Sequence, residues 1–179
     1  RLVGSEMCIR DRIKKDLPAN VGGIVWLAMA GAKYSPFVPY YGNINATYDA
    51  YHVKGGKYDA NSFYWVSETV NTAMNKASVN AQKEFFNKIK DYENKKIAEQ
   101  NELNKRIAKM SPKEAEKFAT DLALKNGKAA YEIVKNEEKK GDIKKARFRN
   151  YEDLKNILRE YFLIYEDLKT EVLKVDWEQ

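Results

Sequence analysis

From Gly23 to Ala30 the chain reads GIVWLAMA, apolar at every side chain, and no other stretch limits the fold as strongly. In an extended backbone Ile24, Trp26 and Ala28 point to one face, and Val25, Leu27 and Met29 to the other. Both faces are apolar, so the strand must be covered on both sides. The link Ala30 to Lys33, with Gly31 inside it, suffices for a hairpin and is too short for a helical crossover. A second strand over about Ser35 to Tyr41 is therefore expected to run antiparallel to the first. Pro36 and Pro39 each remove a ladder donor, which puts that strand at an edge or makes it irregular. Two strands are not stable alone, so this pair, about residues 23–41, reads as the end of a larger sheet.

Upstream, Pro18 biases Leu17 toward extended backbone, and Gly22-Gly23 release the chain into the strand. Residues 1–12, RLVGSEMCIRDR, fit neither a helical nor a strand period and resemble a translated sequencing-adapter string. They are set aside as an artefactual, disordered tail, which leaves 13–179 as part of a single domain. Cys8 lies in that tail without a His or acidic constellation nearby, and it is not read as a nucleophile. As the single cysteine it excludes an internal disulfide and any multi-thiolate metal site.

Residues 42–61 form a loop rich in Gly, Asn, Asp and Tyr. Tyr34, Tyr40, Tyr41, Tyr48, Tyr51, Tyr58 and Tyr64 cluster in and around it; they either pack the loop onto the sheet or line a peptide or sugar pocket. His52 has no partner at ligand spacing and reads as a loop histidine without catalytic duty.

The helical region spans 62–175. Asn61 or Ser62 can cap its start. Phe63, Val66, Val70, Ala73, Ala77, Ala81, Phe85, Ile89 and Tyr92 step by three or four, which predicts one uninterrupted helix, extending to Ile107 with a bend near Asn94. Ser111-Pro112-Lys113-Glu114 carries a cap, a first-turn proline and a capping-box glutamate. Asn126-Gly127 either ends or weakens the helix that follows. Beyond Gly141, Tyr151, Leu154, Leu158, Tyr161, Tyr165, Leu168 and Val172 form a heptad stripe, either for packing within the chain or for a homo-oligomer seam.

Lys+Arg number 32 against 26 Asp+Glu, for a net charge of +6. Lysine dominates and is mixed evenly with acids, the pattern of solvated helix faces rather than a nucleic-acid footprint. No apolar run approaches the roughly 18 residues of a membrane span. No phosphate-cradling glycine loop, metal-spaced His/Cys set, nucleophile elbow or isolated carboxylate pair occurs, so no metal or other cofactor is expected.

The residue order of IKKDLPANVGGIVWLAMAGAKYSPFVPYYGNI, followed by NSFYWVSETVNTAM, resembles the C-terminal half of the dipeptidase A family, cysteine peptidases of the N-terminal-nucleophile hydrolase class. The shared pattern is a KDLP lead, a GG-x-x-W-L-A strand and an S-P-x-V-P-x-Y strand, good from about Ile13 to Met74. The resemblance implies an α+β fold, an incomplete αββα sandwich in which these two strands are followed by long helices. It also implies hydrolysis of dipeptides or short peptides by a cysteine at the mature N-terminus, whose own α-amino group serves as base; omega-type peptide bonds stay open as substrates. That nucleophile is expected to lie outside this chain, so no catalytic residue is assigned here and the 179 residues alone are expected to be inactive. Ser35, Tyr41 and Asn43, polar groups at the edge-strand ends and the loop mouth, are the candidates for substrate binding, with packing as the alternative for each. The competing reading is a non-enzymatic, Lys-rich helical module that binds a protein or nucleic-acid partner.

Overall fold

The computed structural model describes residues 7–12, 17–18, 21–52 and 59–140. Three antiparallel strands, β1 (Met7–Arg12), β2 (Ile24–Met29) and β3 (Val38–Tyr41), form a sheet in the order β1-β2-β3. Three helices follow, α1 (Phe63–Lys76), α2 (Val79–Ile107) and α3 (Pro112–Glu138). The chain is α+β, and one sheet is present among the described residues.

The expectation of a disordered tail is corrected at residues 7–12, which pair with β2 from Met7 opposite Met29 to Arg12 opposite Ile24. The cause is the free edge of β2. With β3 on one side only, the other row of β2 backbone donors and acceptors needs a partner, and the segment upstream supplies it. That pairing is non-local, so no period within MCIRDR announces it.

β3 also starts later than expected, at Val38 rather than Ser35. Pro36 has no N–H to give, and the Phe37 N–H is taken by Glu93 Oε1 of α2 at 2.9 Å instead of a ladder carbonyl. As the two prolines require, β3 is an edge strand. Between β2 and β3, Ala30 is buried with φ at 58°, a left-handed conformation that is uncommon for a residue with a Cβ.

The two faces of β2 meet different parts of the interior. Leu27 and Met29 join Val38 and Tyr40 in a core built with α1, Phe85, Ile89 and Tyr92 of α2 and Ala123, Ala130 and Val134 of α3. Ile24 and Trp26 join Tyr41 against Leu17, Val21, Ile107, Ala115 and Ala119. Both faces are thus engaged by apolar residues, as the unbroken apolar run demands.

The predicted long helix is two helices. Ala77 and Ser78 are extended (ψ 165° and 152°), and Ser78 Oγ caps α2 by accepting from Ala81 N at 3.3 Å. The apolar stripe keeps its phase across the break, which is why spacing alone does not reveal it. α3 begins as its sequence states: Ser111 Oγ accepts from Glu114 N, and Glu114 Oε2 accepts from Ser111 N at 3.0 Å. Asn126-Gly127 does not end α3. Both are buried, and a Cβ on Gly127 would lie 3.1 Å from Tyr48 Cβ, 3.1 Å from the Tyr51 ring and 3.2 Å from the Tyr40 hydroxyl. The glycine is there so that the tyrosine loop can lie against the helix.

Some of the lysines on helix surfaces pair with a glutamate of the same helix or its end: Lys88 pairs with Glu84, Lys105 with Glu102 and Lys140 with Glu137, each three or four residues apart. No helix among the described residues is long and apolar enough to cross a membrane. The heptad stripe of Tyr151 to Val172 lies outside the described residues.

Candidate functional site

Polar groups gather along the segment Tyr34 to Asn43, which α2 fastens at three levels. Tyr34 OH donates to Gln82 Oε1 at 2.6 Å, Phe37 N donates to Glu93 Oε1, and Tyr41 OH donates to Asn104 Oδ1 at 2.7 Å. Gln100 Nε2 in turn donates to Tyr41 OH at 2.7 Å and to Asn104 Oδ1 at 2.9 Å. From Gln82 to Gln100 is about 27 Å at 1.5 Å per residue, so the segment runs lengthwise along the helix.

The three substrate-binding candidates are therefore not one constellation. Ser35 lies at the Gln82 end, beside Tyr34; Tyr41 and Asn43 lie at the Gln100 end. Tyr41 is buried with its hydroxyl held by two side chains, and burial pushes its pKa up to about 12, against the smaller opposing effect of the Gln100 hydrogen bond. Below that pH it stays a neutral phenol, held by Gln100 and Asn104.

Asn43 follows a close glycine turn. Gly42 N donates to Gly23 O at 3.0 Å, Gly22 adopts φ 70°, and a Cβ on Gly42 would come within 2.9 Å of Val21 O. Only glycine at 42 allows the two chain segments to meet, and that meeting fixes where Asn43 begins. Its side-chain Nδ2 and Oδ1 are both shielded from solvent and hydrogen bond to nothing among the described residues. The Ser35 hydroxyl, fully buried, is in the same state. Each such group costs about 1–3 kcal/mol relative to a bonded one, so an amide with both ends open is a donor and acceptor pair awaiting a partner.

Beside Asn43 the loop is tied to α3. Asn45 N donates to Thr120 Oγ1 at 3.2 Å, and Asn45 Nδ2 donates to Glu116 Oε1 at 2.7 Å. Together with Lys113, Lys117 and Asp121 these residues line an open cleft of about 220 Å³. Lysines and carboxylates alternate around it, so it has no single-sign field.

The aromatic loop packs rather than opens. Tyr51 meets Tyr40 and Phe63 edge to face at 5.8 and 5.1 Å, and Tyr131 of α3 contacts both Phe63 and Tyr48 at 5.7 Å. His52 is exposed, with Nε2 3.4 Å from Thr47 Oγ1. No cluster of three or more metal-ligating side chains exists among the described residues. Sequence reasoning misses Gln100, Asn104 and Thr120. Polar residues on a helix read as solvent-facing, and only the strand or loop beside them turns them inward.

The model of Peptidase family C69 matches residues 5–95, which include β1. Probable dipeptidase B of Streptococcus pyogenes serotype M1 is 31% identical over 132 residues, covering 72% of this chain and 26% of that protein. Probable dipeptidase B of the serotype M6 strain is 32% identical over 133 residues, with 72% and 27% covered. Dipeptidase A of Lactobacillus helveticus is 24% identical over 108 residues, with 58% and 22% covered. The chain spans about a quarter of the length of these relatives.

Proposed function

The chain belongs to peptidase family C69, and from that premise we propose that it is the C-terminal part of a dipeptidase whose cysteine nucleophile lies outside these 179 residues. The observation that carries this reading is the match itself: relatives named as dipeptidases align with most of this chain and with about a quarter of their own length. In such an enzyme the α-amino group of the cysteine takes the thiol proton, the sulfur attacks the peptide carbonyl, and the C–N bond breaks as the amine leaves with that proton; water then hydrolyses the resulting thioester and frees the thiol. Cys8 cannot act in this way. Its nitrogen is an amide inside β1, opposite Ala28, and not a free amine.

The 179 residues alone are therefore expected to release no amino acids from dipeptides, with or without thiol-reactive probes. Turnover that disappears in a Cys8→Ala variant would overturn this assignment. The strands β1 to β3 are proposed as part of one sheet of an αββα sandwich, with the remaining catalytic strands elsewhere in the protein.

Within this part we assign substrate contact to Asn43, supported by its solvent-shielded and unbonded amide. A neutral donor and acceptor pair suits the peptide group of a short substrate. In an enzyme that also carries the N-terminal cysteine, Asn43→Ala is expected to lower kcat/KM by about 10- to 100-fold, the equivalent of roughly 1–3 kcal/mol for a lost buried hydrogen bond, at unchanged Tm. Unchanged kinetics with a lowered Tm would assign Asn43 to packing instead. Ser35 belongs to the opposite end of the strand segment and is proposed only as a second, separate contact.

A further inference from the structure

Asn43 is the third residue of a turn that opens at Tyr41 and closes at Ile44, where Ile44 N donates to Tyr41 O at 3.4 Å. Two helices hold that turn, one at each end. At its entry the buried Gln100 and half-buried Asn104, one helical turn apart on α2, enclose the Tyr41 hydroxyl. Gln100 Nε2 donates to that hydroxyl at 2.7 Å, the hydroxyl donates to Asn104 Oδ1 at 2.7 Å, and Gln100 Nε2 also donates to Asn104 Oδ1 at 2.9 Å, so the three groups close a triangle. At its exit Thr120 of α3, itself buried, meets Asn45 twice: its Oγ1 accepts from Asn45 N and donates to Asn45 Oδ1, each at 3.2 Å. Ile44, between the two attachments, packs against both apolar clusters.

We propose that Gln100 and Thr120 are positioning residues for substrate binding: acting through Tyr41 and Asn45, they hold the turn so that the Asn43 amide meets the peptide group of a bound dipeptide. This rests on the assignment of substrate contact to Asn43. A group carried on a loop is mobile by default, yet an amide that must meet a peptide group has to be held to within about half an ångström. Apolar side chains at 100 and 120 would fill the same space with no polar atom to satisfy. Buried hydrogen-bonding groups there fix one arrangement of the turn, which packing alone does less sharply. Neither residue touches Asn43 itself, so each acts one residue removed, Gln100 on the strand side and Thr120 on the loop side.

Double-mutant cycles in the enzyme that carries the N-terminal cysteine test the assignment, with the unblocked dipeptide it cleaves best as substrate and Tm recorded for every variant. Gln100→Leu and Thr120→Val are each expected to lower kcat/KM by about 3- to 10-fold, the range for one lost neutral hydrogen bond. Thr120→Ser keeps the hydroxyl and is expected to retain more than about half of the activity. In the Asn43→Ala background neither change is expected to lower kcat/KM by more than about twofold further, because the group that it orients is gone. Tyr41→Phe, which severs the α2 attachment from the other side, takes the place of Gln100→Leu where that variant does not fold. A lowered Tm with unchanged kcat/KM would overturn the proposal, as would equal losses in Thr120→Ser and Thr120→Val. Losses of the same factor with and without Asn43, when Asn43→Ala is itself impaired, would overturn the positioning role alone. An Asn43→Ala enzyme of unchanged kcat/KM would remove the substrate contact and the positioning role together.

Discussion

Raising the pH above 10 is expected to unfold this protein steeply, with tyrosine ionisation and loss of helix occurring together. Burial raises the pKa of Tyr40, Tyr41, Tyr51 and Tyr92 above the ordinary value of 10.0; for Tyr51 the neighbouring Tyr40 and Tyr92 add to the effect. A phenol becomes charged by losing its proton, so below pH 10 both folded and unfolded chains hold it and nothing is gained or lost. Above pH 10 the unfolded chain releases protons that the folded chain keeps, and stability falls as pH climbs toward the folded values, about 12 for Tyr41. One proton costs about 1.4 kcal/mol per pH unit, so four together reach at most about 5.5 kcal/mol per unit. A domain with 5–15 kcal/mol in hand loses its fold within a few units. Absorbance at 295 nm should therefore rise in step with the loss of helical circular dichroism. A smooth rise centred near pH 10 with helix intact would show that these hydroxyls are accessible. Tyr41→Phe removes one of the four and should soften the slope by about a quarter.

Phe63→Ala is expected to be the most damaging single truncation of the loop anchor, at about 3–5 kcal/mol, the range for buried phenylalanine. Phe63 is the first residue of α1, has no exposed surface, and sits between the rings of Tyr51 and Tyr131. It joins the tyrosine loop, α1 and α3 at one point, so the cavity cannot close without moving a loop, a helix, or both. Phe63→Leu, which keeps more of the volume, should cost appreciably less. Urea unfolding should show a lowered midpoint at unchanged slope for Phe63→Ala, and faster amide exchange at Tyr51 and His52. A loss below 1 kcal/mol would mean that the loop is held without this ring.

What the sequence discloses depends on how local the cause is. α3 is legible to the residue, because cap, proline and box glutamate all lie within Ser111 to Glu114. The edge position of β3 follows from two prolines. The break at Ala77-Ser78 is hidden because the apolar stripe continues in phase through it, and the single local signal is a serine able to cap Ala81. β1 is hidden because a partner for β2 is a non-local demand. The same division runs through the candidate site. Asn43 is visible as a polar residue after an apolar strand. Gln100 and Asn104 are not, because nothing in their own neighbourhood says that Tyr41 will lie against them. The family match also starts at residue 5, so the strand set aside at Met7–Arg12 lies within it.

The three attachments of Tyr34, Phe37 and Tyr41 to α2 constrain its length as well as its surface. Gln82, Glu93 and Gln100 share a side of the helix because they are eleven and seven residues apart. One residue inserted or deleted between Gln82 and Gln100 would rotate every later position by about 100°, carrying Gln100 and Asn104 away from Tyr41 and Ile107 away from its core. This helix can therefore lengthen or shorten over its evolution only in steps close to whole turns.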